Sequence, residues 1–228
     1  MNRSHIIKIV LLVFGAVSFM AALYMIFFYV PTEQSMGVVQ RIFYFHVPVA
    51  WIALLSYLVI FVSSIMYLWK RNAKWDAVAI AAAEIGFIFT TMFLITGSIW
   101  AKPAWGVWWT WSPRLTSALV LWFIYVAYLT IRSYTQGDDR KARFSSAVAV
   151  IGFIDIPIVI LSISLWRTQH PSALIFEGGL EPPMLFTLQV CILAFTILYV
   201  LILMQSVQIN RAILRVKEVR RYIEMKLR

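Results

Sequence analysis

The sequence predicts an all-α polytopic membrane protein: six transmembrane helices, short interfacial helices on the outer face, and both termini cytoplasmic. Three observations predict it. The 228-residue chain is 62% hydrophobic and only 13% charged, whereas a soluble domain is closer to half apolar and a quarter charged. Its apolar residues come in six long runs rather than alternating with polar ones. Its cations gather at alternate ends of those runs.

The runs fall at about 9–30, 47–69, 77–101, 115–132, 144–166 and 184–206, each near the ~20 residues needed to cross the hydrocarbon core. The first lacks the short apolar core and small-residue cleavage site of a removable signal peptide, so it is expected to stay as a span. With the N-terminus inside, the inner segments hold Arg3, Lys8, Lys70, Arg71, Lys74, Arg132, Arg140, Lys141, Arg143 and seven cations after residue 206. That is 16 of the 20 Lys and Arg; the outer segments hold Arg41, Lys102, Arg114 and Arg167. The skew sets the orientation. The net charge of +10 therefore reports topology, and no nucleic-acid partner is expected.

The segment 207–228 is read as a basic cytoplasmic tail. Ile209, Ile213, Val216, Val219, Ile223 and Leu227 make one helical stripe between cationic residues, suited to membrane lipids or a cytoplasmic partner. Cys191 is the single cysteine, which excludes a disulfide or thiolate metal cluster within one chain. Residues 1–228 are read as one membrane domain without internal repeats.

The unusual residues collect in three outer segments. In PTEQSMGVVQRIFYFHVPVAW, Val39, Ile42, Phe43 and His46 fall at i, i+3, i+4 and i+7. This spacing predicts a short surface helix with His46 turned toward the membrane or a pocket. Pro48 is expected to open a new helix, since proline disfavours helix at the residue before it. In the second segment, four of the seven residues from Trp105 to Trp111 are tryptophan. Helical spacing would put Trp105, Trp108, Trp109 and position 112 on one face. Ser112 then reads as an N-cap and Pro113 as the first residue of the fourth span, with Arg114 in its first turn. The third segment, WRTQHPSALIFEGGLEPPM, is loop-like and carries His170.

Tryptophans at a membrane boundary commonly form an interfacial belt. Here Trp100, Trp105, Trp108, Trp109, Trp111 and Trp166 cluster on one side, as a platform packing a large planar apolar ligand would. A single interfacial histidine is commonly structural. Two on one face, His46 and His170, suit both axial positions of a haem iron. Arg41 and Arg114, with Lys102 or Arg167, would then hold the propionates. Glu84 and Asp155 lie inside spans, where an ionisable group is costly. Structural polar contacts are favoured for them over a proton path or an inward haem route.

These residues also carry a resemblance. TGSIWAKPAWGVWWTWSPRLTS resembles the tryptophan-rich "WWD" signature of the haem-handling membrane proteins of cytochrome c biogenesis. RIFYFHVPVAW and TQHPS are similar to the flanking histidine segments of the CcmC family, over nearly the whole chain. The CcsA and CcmF families of the same group have more spans. The resemblance implies His46 and His170 as axial ligands of the haem iron, and Trp105, Trp108, Trp109 and Trp111 as the platform. It places Arg41 and Arg114 near the haem edge. It also implies a b-type haem held non-covalently in transit at the periplasmic face of a bacterial inner membrane. There the haem is presented to the chaperone CcmE, alongside the ABC-transporter subunits CcmA and CcmB and the small protein CcmD. The expected role is delivery, not enzymatic catalysis. A transmembrane haem conduit and a structural anchor for the ABC subunits are the alternatives. One position departs: the signature has aspartate where this chain has Ser112, which keeps the cap and loses a negative charge.

Overall fold

The computed structural model describes residues 3–34, 36–165 and 179–227. His170, Trp166 and Arg167 lie outside them. Six helical stretches are long and apolar enough to cross a membrane: Ile6–Tyr29, Val38–Lys70, Ala73–Trp105, Pro113–Tyr134, Asp138–Ser162 and Pro182–Lys226. Each contains or overlaps one predicted run. No strand occurs among the described residues. The chain is an all-α polytopic membrane protein.

Helix α1 (Arg3–Tyr24) ends in a wider turn over Met25–Tyr29, closed by Val30 N–H on Met25 O at 2.9 Å. A tight 3₁₀ turn, Val38–Ile42, then runs straight into α2 (Phe43–Lys70). Pro48 therefore does not open a helix. It lies within the second turn of α2, buried, where only the carbonyl of Tyr44 loses its expected partner. Continuing the helix through that defect keeps the apolar face of 43–53 packed, which outweighs one missing bond.

Helices α2 and α3 (Ala73–Trp105) form the central pair. Ala79, Ala82, Ala83 and Gly86 give α3 a smooth face of small residues, buried in one cluster with Tyr57, Ile60 and Tyr125. In lipid, where apolar side chains gain little by leaving the solvent, such close backbone approach drives helix association. Tyr125, on α4 (Pro113–Tyr134), crosses over Gly86 to donate its hydroxyl to Ala53 O at 2.8 Å. A Cβ at Gly86 would lie 2.2 Å from that hydroxyl oxygen. Gly86→Ala should therefore cost about 1–3 kcal/mol by overpacking, measurable as a lowered unfolding midpoint in detergent. A wild-type midpoint would show that Tyr125 moves aside freely.

The fifth span is broken. Helix α5 (Asp138–Gly152) stops and α6 (Asp155–Leu165) restarts after Phe153 and Ile154. Asp155 stands in the first turn of α6, 7% exposed, with Oδ2 lacking a hydrogen-bond partner among the described residues. In that turn Ile156 N–H bonds to Phe153 O at 3.1 Å and Pro157 has no N–H, while the positive end of the helix dipole favours a carboxylate there. Glu84 is instead exposed and accepts from Ser206 at 3.4 Å. Helix α7 (Pro182–Lys226) has 45 residues, roughly 67 Å at 1.5 Å per residue, about twice the hydrocarbon thickness. The basic tail is thus a continuation of the last span. Its stripe from Ile209 to Leu227 is exposed throughout.

At the end of the bundle opposite the Trp105–Trp111 segment, Arg132 of α4 meets Asp76 of α3 through two bonds of 2.5 and 2.8 Å. Arg132 also donates to Ser145 of α5 at 3.1 Å. Asn72 caps α3, accepting from Lys74 N at 2.9 Å.

Candidate functional site

His46 sits one turn into α2 and is 4% exposed. Its ring packs on Phe93 and Trp100 of α3, with centroids at 5.0 and 6.0 Å. Nδ1 lies 2.9 Å from Thr96 Oγ1. The stripe spacing placed His46 toward a pocket or the membrane, and it faces a pocket. That pocket is lined by Phe93, Leu94, Gly97 and Trp105 of α3 and by Arg114, Leu115 and Ala118 of α4. Its cavity is only about 20 Å³, room for about one water molecule.

The tryptophan segment differs from the helical face that its spacing suggested. Gly106, at φ 78°, ends α3 in the left-handed conformation that favours glycine. Lys102 donates to Gly106 O at 2.8 Å across that end, so its ammonium helps to close the helix. Residues 107–112 are non-helical, and Trp105, Trp108 and Trp109 do not share a helical face. Trp105 lines the His46 pocket and packs at a tilt on Trp100, with centroids 6.3 Å apart. Trp109 and Trp111 meet edge to face at 5.8 Å. Trp108 and Trp111 are 58% and 75% exposed, a large amount of indole surface to leave uncovered.

Ser112 N-caps α4, its Oγ accepting from Leu115 N at 3.5 Å, with Pro113 at the first helical position. This cap aims Arg114 into the His46 pocket. Arg41 lies apart in the 3₁₀ turn, half-buried. Its Nε, like Trp109 Nε1, is buried with no hydrogen-bond partner among the described residues. Buried donors without acceptors are uncommon in proteins and mark where an acceptor from outside can be received.

A larger cavity of about 470 Å³ lies at the same end of the bundle. Trp100 and Phe43 line it together with Met36, Gln40, Glu33 and Glu181. Its charged lining is acidic, while the His46 pocket carries Arg114. The two sites therefore select opposite charges.

Sequence reasoning missed Thr96, Gly97 and Phe93, which surround the imidazole. The stretch TGS did signal a place of close approach, because small residues on a span permit it. The contact with His46, fifty positions earlier, had no local sign.

The comparisons with known proteins converge. A family model described as CcmC, heme exporter protein C, matches residues 1–223. A heme exporter protein C of Bradyrhizobium diazoefficiens is 35% identical over 173 residues, covering 75% of this chain and 66% of that protein. The protein of the same name in Escherichia coli K12 is 36% identical over 175 residues, 75% of this chain and 70% of its own length. That of Haemophilus influenzae is 32% identical, with 75% and 71% covered. The matched stretch thus spans about two thirds of each relative. The chain belongs to the CcmC, or heme exporter protein C, family.

Proposed function

We propose that this chain binds haem at the periplasmic face of a bacterial inner membrane and presents it to the chaperone CcmE during cytochrome c maturation. One observation carries the reading: a buried histidine, a tryptophan and an arginine from three helices line a single pocket at the tryptophan-bearing end. The haem is cargo, b-type and non-covalently held. His46 is one axial ligand and His170 the other. Arg114 and Arg41 hold the propionates, and Trp105, Trp108, Trp109 and Trp111 cover the ring. A cavity of about 20 Å³ admits no porphyrin, so loading displaces Trp105 and its neighbours. The skew of cations supports a cytoplasmic location for both termini.

Delivery works by positioning: one haem edge is held toward the chaperone, without a catalytic nucleophile in this chain. CcmA, CcmB and CcmD are the proposed assembly partners, with anionic lipids at the basic tail. The purified full-length protein, mixed with haem in detergent, should give a low-spin spectrum. Absence of a haem complex would overturn the reading. Reconstitution into vesicles without other subunits should give no haem movement across the bilayer; net transfer would favour the conduit. Deleting residues 211–228 should leave haem binding unchanged while weakening assembly with the ABC subunits, read by co-purification. Loss of haem binding on deletion would refute a site confined to the outer face.

A further inference from the structure

We infer that Thr96 is the positioning residue that fixes His46 in the tautomer able to bind iron through Nε2. The inference rests on His46 being a haem ligand, as proposed above.

The geometry is a matter of counting hydrogens. Thr96 Oγ1 has one hydrogen and two lone pairs. It lies 2.8 Å from Met92 O, one turn back on α3, and 3.2 Å from Phe93 O. Both are carbonyls and can only accept, so the hydroxyl hydrogen points to them. The side of Oγ1 facing His46 Nδ1, at 2.9 Å, therefore offers a lone pair. The imidazole must donate, with its proton on Nδ1. In the neutral ring Nε2 then carries the lone pair, the form that ligates a metal. A partner accepting from the far ring nitrogen also raises the basicity of the ligating one.

Gly97 completes the arrangement. A Cβ there would stand 3.0 Å from His46 Cε1, the ring carbon between the two nitrogens. Any larger residue would crowd the ring. Phe93 and Trp100 close on the imidazole at 5.0 and 6.0 Å, which limits its rotation. Orientation and tautomer are thus both set before the ligand arrives.

The test uses the full-length protein in detergent, with haem as the titrant. Thr96→Val keeps the shape and removes the acceptor; Thr96→Ser keeps the acceptor. Thr96→Val should weaken haem binding roughly 10–100-fold, the range for loss of an outer-shell partner, and shift the haem midpoint potential. Thr96→Ser should restore both. Haem affinity and potential unchanged in Thr96→Val, while His46→Ala abolishes the low-spin spectrum, would overturn the inference and leave the ligand assignment standing. A spectrum unchanged in His46→Ala would remove both. Nitrogen-15 NMR of the haem-free, histidine-labelled protein needs no folded variant. It should show His46 protonated on Nδ1, and protonation on Nε2 alone would equally overturn the inference.

Discussion

Full-length protein carrying His46→Ala should bind haem at least ~100-fold more weakly than the unaltered chain, a loss of about 2.7 kcal/mol, and should lose the low-spin spectrum. The imidazole is not a surface residue recruited by chance. It is 4% exposed and packs at a tilt against two aromatic rings of α3. It shares its pocket with Arg114 and Trp105, a cation and a flat apolar surface of the kinds that suit a propionate and a porphyrin. Removing it leaves five-coordinate iron if His170 is the second ligand. The expected species is then high-spin, and added imidazole should return the low-spin bands. His46→Ala together with His170→Ala should abolish the complex. Low-spin bands of full intensity in the double variant would show that iron is held by other groups.

Hydropathy made the six spans legible, because a helix in lipid needs a run of fixed length. It was weakest where a helix continues or stops for reasons outside that run. Pro48 carried a stop signal, yet α2 passes through it because the missing bond falls within the first two turns and the flanking face is buried. The last span read as ending near 206, but α7 continues to Lys226. Charge marks the bilayer boundary there without breaking the helix, since Lys and Arg are good helix formers. At the site, Ser112-Pro113-Arg114 was readable in full because a cap is a local device. The Trp105–Trp111 segment was misread as helical although Gly106 stands within it, a residue that commonly closes helices. Tryptophan periodicity hid the glycine signal. Thr96 was unreadable, since a hydroxyl in an apolar span ordinarily returns to its own backbone. Thr96 does that, and its remaining lone pair meets a histidine from another helix.

Asp76→Ala should destabilise the protein by about 3–5 kcal/mol, the cost of leaving one partner of a buried ion pair uncompensated. For a chain of this length that corresponds to roughly 6–20 °C in unfolding midpoint. Arg132 and Asp76 side chains are 12% and 10% exposed, and the contact is bidentate, the strongest geometry that the pair can adopt. Arg132 also touches Ser145 and lies over the Tyr128 ring at 5.9 Å, so α3, α4 and α5 converge on one guanidinium. The other charged pairs at this end are weaker by position. Arg143–Asp139 spans 3.6 Å and Lys217–Asp138 3.9 Å, with all four side chains at least 38% exposed, where solvent screens them. The size of the single-variant effect is mostly the penalty of a stranded cation, not the net worth of the bridge. Asp76→Leu combined with Arg132→Met should accordingly recover most of the lost stability, a strongly non-additive cycle. Thermal unfolding followed by tryptophan fluorescence, in detergent and without haem, measures both the single and the double variant. A double variant as unstable as Asp76→Ala would mean that the guanidinium holds α5 through Ser145 independently of its carboxylate. Because this junction lies at the end of the bundle away from His46, the single variant, held below its lowered midpoint, should still take up haem with the low-spin spectrum. The Arg132–Asp76 lock and the His46 site are then separable parts of one helical frame.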